Sequence, residues 1–162
     1  MKQKKLLTAL TFLLASCGWQ LRDAQIVPSS IGTIYISSSN PSGALITELR
    51  RALNTYGIKV APNSAGADYA VVIVDFRQNH RTASLNASAR VAEYQLNEDV
   101  DFYITDAQGN QIIPLSTASV ERVYEFSEDD ILASDNEEQF IRNGMREDIA
   151  RQILNRLRVL PQ

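Results

Sequence analysis

The chain has 162 residues, 44% hydrophobic and 22% charged, with 16 lysines and arginines against 19 aspartates and glutamates. That composition suits one folded domain; it excludes disorder as the main state and, with no apolar run of about 18 residues or more, a bundle of membrane-spanning helices. The single cysteine, Cys17, cannot form an intrachain disulfide, and with the single histidine, His80, it cannot build a zinc site of the usual kind.

In chain order, Lys2, Lys4 and Lys5 form a positive stretch ahead of the apolar run Leu6 to Ala15, which has the length of a signal-peptide core and is too short to span a bilayer as a mature helix. The run ends in Leu14, Ala15, Ser16 and Cys17, which resembles the bacterial lipobox. That resemblance implies diacylglyceryl transfer to the Cys17 sulfur, cleavage before Cys17 and acylation of the new amino terminus. The expected organisation is therefore a cleaved lipoprotein signal peptide at 1–16, a lipidated tether at 17–30 and a single α+β domain at 31–162. Each buried methylene contributes about 0.8 kcal/mol, so two or three acyl chains on one cysteine anchor where one would hold only marginally. Gly18 stands where an aspartate would retain such a lipoprotein at the inner membrane, so the resemblance favours the outer membrane.

Loss of residues 1–16 leaves 13 basic against 19 acidic side chains, which speaks against a nucleic-acid ligand. Of those basic residues only Lys59 is a lysine; the rest are arginines, whose planar fork suits phosphate and carboxylate.

Trp19 to Ser30 has no clear period and reads as extended tether. Ile31 to Ser37 is a first strand. Asn40 as cap and Pro41 at the first helical position open a helix with Leu45, Leu49, Ala52, Leu53 and Tyr56 on one face, closed by Gly57. Ile58 to Ala61 reads as a short extended piece outside the strand count. Tyr69 to Phe76 is β-branched and apolar on both faces, so it is expected centrally in a sheet, continuing toward Arg81, with a turn at Thr82 to Ala89.

The next strand alternates Ala92, Tyr94, Leu96, Val100, Phe102 and Ile104 with Glu93, Gln95, Asn97, Asp99, Asp101 and Tyr103. Asp106 to Asn110 is a hairpin loop with Gly109 available for a positive φ, and Thr117 to Phe126 returns with the same period of two. Glu98 and Arg122 break the apolar parity; either they pair diagonally across the hairpin or they mark where the strands run past the covering helices. Ser134 to Glu137 offers a capping box for a final helix whose Ile141, Met145, Ile149, Ile153 and Leu157 recur at steps of four, with Phe140 and Leu154 beside them.

The order β-α-β-β-β-α gives an α+β fold, a four-stranded mainly antiparallel or mixed sheet with two helices packed on one face. The other face displays Arg77, Asn79, Arg81, Glu93, Gln95, Asn97, Asp99, Asp101, Ser119 and Glu121, a continuous polar surface. Catalysis is not visible. His80 has no nucleophile elbow near it, no glycine loop cradles a phosphate, and Asp129, Asp130, Glu137 and Glu138 read as loop and cap charges. No cofactor or metal is expected beyond the covalent lipid on Cys17.

Three stretches carry a family resemblance. Cys17-Gly-Trp-Gln-Leu-Arg-Asp23 followed by Val27-Pro-Ser, Thr82-Ala-Ser with Ala92-Glu-Tyr-Gln95, and Asp135-Asn-Glu137 occur in matching order in the LPS-assembly lipoprotein LptE family, which the chain resembles over nearly its whole length. The resemblance implies a non-enzymatic outer-membrane lipoprotein that plugs the β-barrel of LptD, assists its assembly and takes part in moving lipopolysaccharide (LPS) to the outer leaflet. A different outer-membrane assembly lipoprotein, such as a secretin pilot or a barrel-assembly accessory, is the competing expectation. An LPS role asks for cations near the lipid phosphates, and Arg77, Arg81 and Arg90, around the Thr82 to Ala89 turn, are the expected contacts to LPS or to the barrel.

Overall fold

The computed structural model describes residues 31–160, so the expected signal peptide, Cys17 and the tether to Ser30 lie outside the described residues. The elements are β1 (Thr33–Ser37), α1 (Ala44–Thr55), β2 (Lys59–Ala61), β3 (Tyr69–Leu85), β4 (Val91–Asp106), β5 (Gln111–Glu125) and α2 (Ile131–Leu157).

The α+β class and the two helices are as read from the sequence, but the sheet has five strands in the order β2-β1-β3-β4-β5. The fifth is the short piece after α1. Lys59–Ala61 pairs in parallel with β1, Thr33 opposite Lys59 and Tyr35 opposite Ala61, and β1 in turn pairs in parallel with β3. Three residues are too few to show a period of two, so the strand is defined by its neighbour and not by its own pattern. The return from α1 depends on Gly57, whose φ of +75° lets the Ile58 N–H reach the Leu53 carbonyl at 3.1 Å and satisfy the helix end.

Both helix starts differ from expectation. Asn40 to Gly43 form a turn, closed by the Gly43 N–H on the Asn40 carbonyl at 3.1 Å, and α1 begins only at Ala44. In α2 the cap is Asp130, whose side chain accepts from the Ala133 N–H at 3.1 Å, four residues before Ser134. Ser134 is instead buried within the helix, where its hydroxyl oxygen accepts from the Ser127 N–H at 3.2 Å. The capping-box letters were present, but an earlier aspartate meets a free N–H first.

Strands β3, β4 and β5 form a long antiparallel meander, and β3 runs four residues beyond Arg81, through Leu85. A bulge at Val74 decides what this meander shows to solvent. Before it, Val71 and Ile73 lie opposite Ile104 and Phe102 on the helix-covered face; after it, Phe76, Gln78 and His80 take over that face opposite Val100, Glu98 and Leu96. The extra residue flips the parity, so Asp75, Arg77, Asn79 and Arg81 all point outward beside Asp101, Asp99, Asn97 and Gln95.

The core lies between the sheet and the two helices. Leu49 and Leu53 of α1, Met145, Ile149, Ile153 and Leu154 of α2, and Ile34, Val71, Leu96, Val100, Phe102 and Ile104 of the sheet are all fully or almost fully buried. Each such side chain contributes about 1.5–3 kcal/mol by leaving water. Phe140, read beside the apolar stripe of α2, is instead 79% exposed. The free edge of β5 is occupied by a side chain at one point: the Gln152 amide accepts from the Ser119 N–H at 3.3 Å and donates to the Ser119 carbonyl at 3.0 Å, taking the groups another strand would use there.

Candidate functional site

The outer face of the meander is the polar surface that the alternation of β4 predicts, and its two arginines meet acceptors on the same face. Arg77 donates to Asp75 at 2.8 Å and through both terminal nitrogens to Asp101, whose carboxylate also accepts from the Thr117 hydroxyl at 2.7 Å. Asp99 accepts from the Ser119 hydroxyl, and Glu93 from the Ser84 hydroxyl at 2.6 Å. The Arg77 guanidinium, followed by Thr117, holds the Asp101 carboxyl below the usual aspartate range, and Asp101 with Asp75 drives Arg77 above its ordinary value. This part of the face combines an ion-pair cluster around Arg77 with carboxylates held by hydroxyl groups.

The three arginines read from the sequence are brought together only in part. Arg77 and Arg81 share the outer face of β3 with Asn79 between them, whereas Arg90 lies beyond the strand end. The turn is not Thr82 to Ala89 but the five residues Asn86 to Arg90, because β3 keeps pairing with β4 to Leu85 opposite Val91. The Asn86 side chain accepts from the N–H groups of Ser88 (2.9 Å) and Arg90 (3.1 Å), and Ala89 takes a φ of +58°. Arg90 then reaches back to Glu128 at 2.8 Å and ties the turn to the loop before α2.

These differences decide which arginines remain open to a ligand. Arg77, 43% exposed, is held on three sides by carboxylate oxygens. Arg81, 67% exposed, donates from Nε to Gln95 at 2.7 Å and stands 3.9 Å from Glu121; Arg90, 61% exposed, has one partner. A guanidinium carries five N–H donors, so Arg81 and Arg90 keep donors for an anion.

Behind the polar face, on the helix side, lies a second polar group that the sequence did not reveal as a unit. Glu98 is fully buried, accepts from the Gln78 amide at 2.6 Å, and is paired at 3.3 Å with Arg142 of α2. Arg142 also donates from Nε to Glu138 at 2.7 Å, and Glu138 accepts from the Tyr124 hydroxyl at 2.7 Å. Burial pushes the Glu138 carboxyl up, but the hydrogen bonds from Tyr124 and Arg142 outweigh it and hold it below the usual range; burial, then the bond to Glu138, pushes the Tyr124 phenol up. His80 stands with Nδ1 3.8 Å from Glu138 and its ring edge-on to Tyr94, centroids 4.3 Å apart. Arg122 likewise turns to the helices and pairs with Asp148 of α2. Neither earlier alternative for Glu98 and Arg122 holds: both partners come from α2, which covers the strands at that level. The available clue was Arg142, one position from Ile141 in the apolar stripe.

Among the described residues no helix is long and apolar enough to cross a membrane. The fold and this surface together define a small α+β domain with one sheet face covered by helices and the other presenting polar rows that include Arg77 and Arg81. A family model described as LptE, lipopolysaccharide-assembly, matches residues 31–157, and the chain belongs to that family. LPS-assembly lipoprotein LptE of Photorhabdus laumondii is 28% identical over 152 residues, covering 94% of this chain and 82% of the relative. The protein of the same name from Pectobacterium atrosepticum is 28% identical over 144 residues, covering 88% of this chain and 77% of the relative. Among solved structures, lipoprotein B from Nitrosomonas europaea superposes with a TM-score of 0.72 at 25% identity, covering 87% of this chain and 90% of that one. Rare lipoprotein B from Shewanella oneidensis shares the fold, with a TM-score of 0.67 at 22% identity, covering 78% and 93% of the two chains.

Proposed function

We propose that this protein is a non-enzymatic lipoprotein of LPS assembly, anchored in the outer membrane through acyl chains on Cys17, that plugs the β-barrel of LptD, assists its assembly and takes part in delivering LPS to the outer leaflet. Membership of the LptE family carries the reading. The physical chemistry of the domain supports it. The lumen of a large outer-membrane barrel is polar, so a plug needs a surface that stays hydrated. The outer sheet face meets that condition, with Arg77 paired to Asp75 and Asp101 and Asp99 held by the Ser119 hydroxyl. Arg81 and Arg90, which keep free donors, supply contacts to the barrel wall or to lipid A phosphates, and Arg77 the weaker one.

The reading is tested by depletion. Cells that lose the protein should strand newly made LPS in the inner membrane, and a Cys17→Ala chain, which leaves an unprocessed precursor, should fail to restore export. Normal LPS export after depletion would point to a different outer-membrane assembly role.

A further inference from the structure

Strand β3 lies inside the sheet for only part of its length. It pairs with β1 from Tyr69 to Val72, and after Ser37 the chain turns away, so from Ile73 to Leu85 it pairs with β4 alone. The uncovered stretch exceeds a typical strand of about five or six residues. The Phe76 N–H donates to the Asp75 side chain at 2.9 Å and is therefore turned from β4. Because pairing is regular from Asp75 to Thr82, the N–H and C=O groups of Gln78, His80 and Thr82 face the same open side.

An exposed edge is a template for another chain, and the other edges of this sheet are blunted. β2 is only three residues long. β5 carries Pro114, which has no N–H, within an irregularity of its pairing, and the Gln152 amide takes both backbone groups of Ser119. On β3 the bulge and Asp75 guard the first residues alone. From Arg77 to Leu85, among the described residues, no side chain hydrogen-bonds a backbone group of the strand. Two features beside this edge define what fits along it. On the outer face Arg81, 67% exposed, spends its Nε on Gln95 and keeps donors for a neighbour on the open side. On the helix side, where β1 leaves, lies a cavity of about 400 Å³ whose lining includes Leu45, Ile46, Ile73, Val74 and Phe76. The only acid of the stretch, Asp75, is engaged by Arg77 at 2.8 Å and by the Phe76 N–H, so the same edge of a second copy brings no free carboxylate to Arg81.

We propose that the open edge of β3 beyond its bulge is a strand-addition site, occupied by an extended segment of a partner polypeptide that sets a carboxylate against Arg81 and an apolar side chain into the cavity beside Phe76. Main-chain hydrogen bonds hold such a segment, and its alternate side chains select it. A closed barrel has no free edge of its own. In the setting proposed above, on which this last step rests, the segment is therefore a loop of the barrel and not its wall.

The full mature lipoprotein in detergent micelles, labelled with nitrogen-15, is titrated with a synthetic peptide of about ten residues alternating threonine and valine, flanked by lysines. One glutamate and one leucine in it are spaced as Arg81 and Phe76 are, and the reversed sequence serves the other strand direction. One of the two peptides should bind saturably, moving the amide signals of Gln78, His80 and Thr82 and slowing their hydrogen exchange, with the β5 edge unaffected. Methylating one alternate set of peptide nitrogens should abolish binding, and methylating the other should not. Arg81→Glu should weaken binding roughly fivefold or more, and lysine in place of the peptide's glutamate should restore it. No saturable binding by either peptide, indifference to both methylated sets, or full affinity in Arg81→Glu would overturn the site. Sedimentation tests the occupant: self-association of the lipoprotein that the peptide reverses would make it a second copy and overturn the assignment to a partner. A barrel complex isolated from membranes should no longer take up the peptide; uptake equal to that of the free lipoprotein would remove the barrel loop as occupant while the edge site stands. Failure to recover any barrel would refute the function proposed above and leave the peptide result unaffected.

Discussion

Arg142 of α2 hydrogen-bonds Glu98 of β4 at 3.3 Å across the helix-sheet interface, with the Glu98 side chain wholly buried and that of Arg142 only 13% exposed. Removing one member of a buried pair strands the other, whereas replacing both with apolar groups removes the cost of burying charge. Arg142→Ala should therefore destabilise the domain by about 3–5 kcal/mol, while Glu98→Leu combined with Arg142→Met should equal or exceed the wild type. Urea unfolding of the two variants checks this, and a silent Arg142→Ala would mean that the pair carries no weight.

The same network sets the pH range of stability. The Glu138 carboxyl is held below the ordinary value of about 4.5, so the folded state binds its proton less readily than the unfolded chain; the stabilisation is present above that value and declines as pH falls below it. The Tyr124 phenol is raised above its ordinary value of 10.0, so its contribution is intact below that pH and declines as pH rises beyond it. Thermal melts across pH should show both limbs. Glu138→Gln should flatten the acid one and Tyr124→Phe the alkaline one, and unaltered limbs in these variants would refute the assignment.

The outer-face arginines should separate by their pairing. Reversal of Arg77, Arg81 and Arg90 together to glutamate should weaken binding of LPS or of the barrel roughly tenfold or more. Singly, Arg81→Glu and Arg90→Glu should lower affinity more, whereas Arg77→Glu should chiefly lower the melting temperature, because it sets a third carboxylate beside Asp75 and Asp101. Calorimetric titration of each variant is the check, and unchanged affinity of the triple variant for both ligands would remove these residues from the mechanism.

The alternation of β4, the Gly109 hairpin and the steps of four in α2 were readable because each is a local regularity that burial follows residue by residue. The Gly109 loop matches in detail: Asp106 accepts from the N–H groups of Gln108 (2.9 Å) and Asn110 (2.8 Å). What was not readable depends on partners distant in sequence. Lys59–Ala61 is a strand because β1 lies beside it, and Glu98 tolerates burial because Arg142 arrives from 44 residues away. The outward set of Arg77, Asn79 and Arg81 was identified correctly, yet the bulge at Val74 that turns them outward leaves no mark in the letters. Likewise the three arginines were visible as a sequence cluster, but not the carboxylates that occupy Arg77.

The central claim is that a lipidated domain with a hydrated, polar sheet face occupies an outer-membrane barrel. Its most direct test is affinity purification of the tagged protein from detergent-extracted membranes, with mass-spectrometric identification of what accompanies it. The account predicts stoichiometric recovery of an LptD-type barrel protein through stringent washing. Repeated recovery of the lipoprotein alone would contradict it.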